Sequence, residues 1–185
     1  MRRTLLAGLA AGAAGTTALD AVSYLDMLQR ARPASTTPEE TARRAEDALH
    51  LSLSAEGPDS DAAANRRTAL GALLGIAAGL ATGVAYGLVR PHLGRVPLAA
   101  LGAGAGLVAN VGTTGPMVVL GVTDPRTWSA SSWLSDFFPH LAYGMVTAGA
   151  FELMWRPPDR RRLAFTPRSG TRALARACKR IVRKA

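Results

Sequence analysis

The sequence predicts an all-α polytopic membrane protein: a four-transmembrane-helix, Gly-rich bundle followed by a basic amphipathic C-terminal helix. Three observations predict it. Ala69 to Val89 is a 21-residue stretch without a charge, bracketed by Arg66, Arg67 and Arg90. As a helix it would be roughly 30 Å long, the thickness of a bilayer core. Three more apolar runs accompany it, so spans are expected at about 5–28, 69–89, 96–122 and 133–155. Charge is placed unevenly: the chain of 185 residues carries a net +9, while the end from Arg156 holds eleven Lys/Arg against Asp159 alone. The bundle is thus expected over 1–157 and a basic cytoplasmic tail over 158–185.

The first run, Leu5 to Leu28, follows Arg2 and Arg3. Gly8, Gly12 and Gly15 give it a face of small residues, and Asp20 and Asp26 interrupt it. A signal peptide is the alternative, because Arg2-Arg3-Thr4-Leu5-Leu6 resembles a twin-arginine signal. The run is long, no A-x-A cleavage site follows and three spans come later, so a retained helix is expected.

Segment 30–68 is polar. Thr37 as N-cap, Pro38 at the first helical position and Glu40 closing a capping box predict a helix over about 38–53. Ala42, Ala45, Leu49 and Leu53 would form its apolar stripe. Asp59-Ser60-Asp61 with Asn65 hints at a calcium loop but lacks the required glycine and the closing Glu.

The second run carries Gly71, Gly75, Gly79, Gly83 and Gly87, one every fourth residue and so on one helix face. In water each interior Gly costs about 1 kcal/mol against Ala. In lipid the backbone has no better partner than itself, and missing side chains let a neighbour approach closely. This span is expected inside the bundle between two neighbours, its glycine face against Gly8, Gly12 and Gly15. A homo-oligomer contact is the alternative.

The third run is rich in glycine, with Asn110 in its middle and Pro116 towards its end. Gly104-x-Gly106-x-x-Ala109 with Asp124 fits a dinucleotide fingerprint, but no strand, continuous helix or second βα unit accompanies it. Trp128, Trp133 and Trp155 stand where interfacial aromatics belong. The fourth run carries Asp136, Pro139, His140, Tyr143 and Glu152. Glu152, four residues before Arg156, is expected to form a surface pair with it. In the tail, Leu174, Ala177, Cys178, Ile181 and Val182 follow a helical period among basic residues, which predicts a helix lying on anionic lipid.

With four spans, fifteen basic residues share one side and seven the other. The positive-inside rule then makes both termini cytoplasmic.

The order of features resembles the YagU-type family of uncharacterised bacterial inner-membrane proteins. The matching parts are the Gly-rich first span leading to Arg32-Pro33-Ala34-Ser35, the stretch Pro116-Met-Val-Val-Leu-Gly121-Val-Thr-Asp-Pro125, and a last span with His140 ahead of Glu152 before an Arg-rich end. The resemblance covers both ends of the membrane region. Pro139 stands where that family tends to have Gly. The resemblance implies a multi-pass bacterial inner-membrane location and brings no activity with it.

Asp20, Asn110 and His140 are expected at one depth, in the outer third of the bilayer, as a candidate intramembrane polar layer. Polar groups at such depth are costly and need partners. The layer reads first as an interhelical hydrogen-bond cluster that fixes packing. The alternative is a transporter or channel component that uses it as a relay, since His titrates near physiological pH. Asp136, His140 and Tyr143 share one face of the fourth span. No nucleophile elbow, zincin motif, P-loop or metal-ligand spacing is present, so no enzyme, cofactor or metal is expected. The expected partners are the lipid bilayer, anionic lipids at the tail, and a second copy or another membrane protein. Nucleic acid is disfavoured, because Phe165 is the tail's lone aromatic.

Overall fold

The computed structural model describes residues 1–155, which are all-α with short 3-10 turns and no strand. The tail, including the basic helix expected from Thr171, lies outside the described residues. Helix α1 spans Arg2–Arg30, α2 Thr37–Ala48, α3 Asp61–Val89, α4 Leu98–Val119 and α5 Ala130–Met154. Three of them, α1, α3 with its following turn, and α4, are long and apolar enough to cross a membrane. At 25 residues α5 is as long, but Asp136, His140 and Glu152 lie within it and it is not one of the three.

Local chemistry sets the helix ends. Helix α1 stops at Ala31, which turns left-handed at φ 49°. The cap of α2 is Thr36, one residue before the expected Thr37, so Pro38 occupies the second helical position. No capping box forms. Ser35 Oγ accepts the Thr37 N–H at 3.3 Å, and Glu40 turns outward to Arg43 (2.8 Å) and Arg44 (2.9 Å). These guanidiniums, Arg43 first, hold the Glu40 carboxyl at about 2.

Helix α2 ends at Ala48 and not near Leu53, because its own Glu46 reverses the chain. The buried Glu46 carboxylate accepts the Leu53 N–H at 2.7 Å and pairs with Arg67 of α3 at 2.9 Å. The Leu53 N–H and then Arg67 hold Glu46 below its ordinary 4.5. A depressed folded value means that this pair's contribution is present above pH 4.5 and is lost as pH falls. Acid therefore loosens α2 from α3.

Helix α3 starts eight residues earlier than the apolar run, at Asp61. Ser60 supplies the reason: its Oγ accepts the Ala63 N–H at 3.2 Å, and Asp61 sits at the positive end of the helix dipole. The segment that resembled a calcium loop is thus a helix cap. Asp124, the ribose candidate of the rejected fingerprint, likewise caps a turn through the Arg126 N–H at 3.0 Å. Ser129 opens α5 by accepting the Ser132 N–H at 3.1 Å.

The four long helices pack side by side in the order α3, α1, α5, α4, each antiparallel to its neighbour. Glycine makes the first contact. A carbon added to Gly83 would stand 2.5 Å from Gly12 Cα and 2.5 Å from the Gly8 carbonyl oxygen. The backbones of α1 and α3 therefore touch without side chains between them, the close approach that small residues permit. The α4–α5 contact is built the same way: an added carbon at Gly106 would lie 2.6 Å from the His140 carbonyl, and one at Gly144 would strike the Gly102 and Gly106 backbone.

Between these pairs α1 meets α5 through Ala7, Ala11 and Phe151, all buried, with Tyr86 of α3 edge-on to Phe151 at 5.3 Å. Gly15 belongs to this contact: it faces Tyr143 and Thr147 of α5 and not the ladder. Tyr143 passes across α1 and donates to the Gly79 carbonyl of α3 at 2.6 Å.

This order corrects one expectation. Helix α1, and not the glycine-ladder helix, lies between two close neighbours. Helix α3 is at the edge: Leu73, Leu74, Ile76 and Leu88 are exposed, and Gly75 has nothing within 4 Å. Physically, a ladder with a 400° turn per four residues drifts about 40° at each step. It can follow a crossing helix for only two or three steps, which here are Gly79, Gly83 and Gly87. Gly71, beyond the drift, is covered by Pro38 of α2.

At one end of the bundle Arg90 pairs with Glu152 through two nitrogens and lies over the Trp155 ring at 5.2 Å. Thr4 and Gly87 meet at the same end. Glu152 therefore has Arg90 as a partner, across two helices; Arg156, its expected partner, lies outside the described residues. At the opposite end Asp26 binds Arg30 and Arg32 and accepts from Ser135 at 3.1 Å. Trp128 and Trp133 stack edge-on nearby in sequence, 4.9 Å between centroids, and Trp128 donates to Thr123 at 2.7 Å.

Candidate functional site

Within the apolar length of the helices one group of polar side chains converges, between α4 and α5. Gly102, Ala105, Gly106 and Ala109 bring α4 against α5. One turn further along α4 comes Asn110, and one turn back along α5 from His140 comes Asp136. Asn110 donates its amide N–H to the Asp136 carboxylate. The same amide lies 3.3 Å from His140 Nδ1, and Asp136 Oδ1 lies 3.5 Å from that nitrogen.

The imidazole has a second, backbone partner. His140 Nδ1 is 2.7 Å from the carbonyl of Asp136. A carbonyl only accepts, so the proton in this contact belongs on Nδ1. Thr113 Oγ1 stands 3.3 Å from Nε2 and 3.0 Å from the Ala109 carbonyl, and its single proton serves one of them at a time.

The side chains of His140 and Asp136 keep 14% and 22% of their surface, so the cluster is largely but not wholly closed. Every polar side chain in it has a partner within the cluster. It can hold α4 and α5 in register. Among the described residues no group of three His, Cys, Asp or Glu could hold a metal ion.

The structure brings two of the three layer residues together, Asn110 and His140. Asp20 does not join them. It is level with His140, because α1 and α5 pair antiparallel through Asp26 with Ser135 and Gly15 with Thr147. Its side chain, however, is exposed and has no hydrogen-bond or ion-pair partner among the described residues. The acid of the cluster is Asp136. The signal that could have found it is the Asp136–His140 spacing of four, which places both side chains on one helix face. Tyr143, on that face too, reaches α3 instead.

Comparison of the chain with protein-family models, with curated proteins and with solved structures gave no match.

Proposed function

We propose that the chain is an integral protein of a bacterial inner membrane, of the YagU type, that acts by helix packing and assembly within the bilayer. The observation that carries this reading is the largely closed Asn110–Asp136–His140–Thr113 cluster, in which each polar side chain has a neighbour within hydrogen-bond reach. Helix α5 serves as the fourth span. One of its faces lies on α1 and another on α4, both apolar enough to cross, and its polar residues are taken up by Asn110 and Arg90. Phe137, Phe138 and Leu134 point outward, as lipid-facing residues would.

Arg2, Arg3, Arg90 and Arg95 gather at the end from which the basic tail leaves, so that end is cytoplasmic and the tail meets anionic lipid. Segment 30–68, with α2, then faces outward. The experiment has two readouts on one preparation of cells and vesicles. A cysteine at Ser60, in a chain with Cys178 replaced by Ser, should react with an impermeant reagent in intact cells, and one at Ser169 should not. Vesicles carrying the purified chain should pass protons no faster than empty ones. The reverse labelling pattern contradicts the orientation. A proton flux abolished by His140→Gln contradicts the packing role and favours the transport alternative.

A further inference from the structure

We propose that α2 and the loop after it form an arm on the outward side that acid releases from α3, with the Glu46 carboxylate as its trigger. The outward placement rests on the membrane reading above; the trigger rests on the α2–α3 junction. The arm starts after Ala31, which ends α1, and finishes at Ser60, the cap of α3. Its bonds converge on one ion pair. Glu46 Oε1 accepts the Leu53 N–H at 2.7 Å, and Oε2 accepts from Arg67 Nε at 2.9 Å. Arg67 also donates to the Pro58 carbonyl at 2.7 Å, and Arg66 to the Leu53 carbonyl at 2.5 Å. One carboxylate thus ties together α2, the loop and α3. Beside it, Thr68 donates to Glu39 at 2.7 Å and Pro38 covers Gly71.

Both carboxylate oxygens already accept, so an added proton competes with a donor and removes the charge that Arg67 pairs with. Arg67 stays charged at any pH, and its side chain keeps only 11% of its surface. A buried charge stripped of its counter-charge is costly, and opening the arm gives it water instead. The Leu53 N–H and then Arg67 hold the Glu46 carboxyl below its ordinary 4.5, so the closed arm is favoured above pH 4.5 and loses that advantage as pH falls. Within α2, Arg43 and Arg44 hold Glu40 at about 2, so these pairs persist and the arm leaves as a helix. The charged groups bonded across the junction are Arg66 and Arg67 from α3 and Glu39 and Glu46 from α2. Glu39 meets a hydroxyl, so neutralising it strands no charge.

The test uses the full chain in phosphatidylcholine nanodiscs, spin-labelled at Ala48→Cys in α2 and Ala69→Cys in α3, both exposed positions, with Cys178→Ser. Nanodiscs open both faces to the buffer, so the readout does not depend on orientation. The distance between labels should be short and narrowly distributed at neutral pH. Below pH 4.5 it should shift to a longer, broader distribution and return on neutralisation. Glu46→Gln should show the longer distribution at neutral pH and lose the response, while Glu39→Gln should keep it. Arg67→Gln, which has no charge to strand, should lose the response too and serves where Glu46→Gln does not fold. Helix content by circular dichroism should hold throughout. An unchanged distance across the titration, or an undiminished response in Glu46→Gln or Arg67→Gln, overturns the trigger and leaves the membrane reading standing. An arm that opens in nanodiscs, in a chain whose Ser60→Cys reacts only from inside cells, overturns the outward placement and leaves the trigger standing.

Discussion

Gly83→Leu is expected to abolish the α1–α3 contact, while Gly75→Leu, two turns away on the same ladder, is expected to leave the protein as stable as before. Both substitutions add the same four carbons. At Gly83 the first of them would already stand 2.5 Å from Gly12 Cα and 2.6 Å from Gly12 N, and a backbone cannot rotate away as a side chain can. Overpacking commonly costs up to about 3 kcal/mol, and a clash with a neighbouring main chain belongs at or above that end. At Gly75 the added side chain meets nothing within 4 Å, and replacing a helical Gly gains up to about 1 kcal/mol of propensity. Thermal denaturation in detergent, followed by circular dichroism, separates the two. Equal effects at both positions would mean that the ladder is not a contact at all.

Asn110→Leu is the second large effect. It removes the donor that faces the Asp136 carboxylate while keeping an apolar side chain of similar size in the α4–α5 seam. An acceptor left without its donor costs about 1–3 kcal/mol. Replacing Asp136 as well, in Asn110→Leu/Asp136→Leu, removes the orphaned group and should recover much of that loss. Such recovery identifies the cluster as a packing device. If the double variant is no better than the single one, the residues do something beyond holding α4 to α5.

The all-α class and the use of glycine were legible because they rest on periodicity, which a sequence states directly. Gly8 and Gly12 meet Gly79 and Gly83 as their spacing implies. What spacing does not state is which side of a helix has two neighbours. Gly15 looked like the third member of a row, yet three residues after Gly12 it is turned about 60° from it, it faces α5, and Thr147 takes the space that it leaves. The ladder failed for the same reason, its drift carrying Gly75 off the partner.

Two sites depended on long-range pairing that local pattern does not contain. Glu46 reads as one more acid on a polar helix. It is buried only because Arg67, 21 residues on, and the Leu53 N–H both turn to it. Asp20 and Asp136 are both acids at the depth of His140, and choosing between them required knowing that α4 meets α5 and not α1. The extension of α3 to Asp61 was within reach: Ser60 with Asp61 is a helix start, obscured by its likeness to a calcium loop.

The packing order α3, α1, α5, α4 brings glycine α-carbons of neighbouring helices close together, and their proximity can be measured in a lipid bilayer. In the chain labelled with 13C at the α-carbon of glycine and reconstituted in lipid, solid-state NMR should give cross-peaks between Gly12 and Gly83 and between Gly106 and Gly144, with none linking Gly75 to α1. Cross-peaks from Gly75 to Gly8 or Gly12, or the absence of both interhelical pairs in an inserted chain, would contradict it.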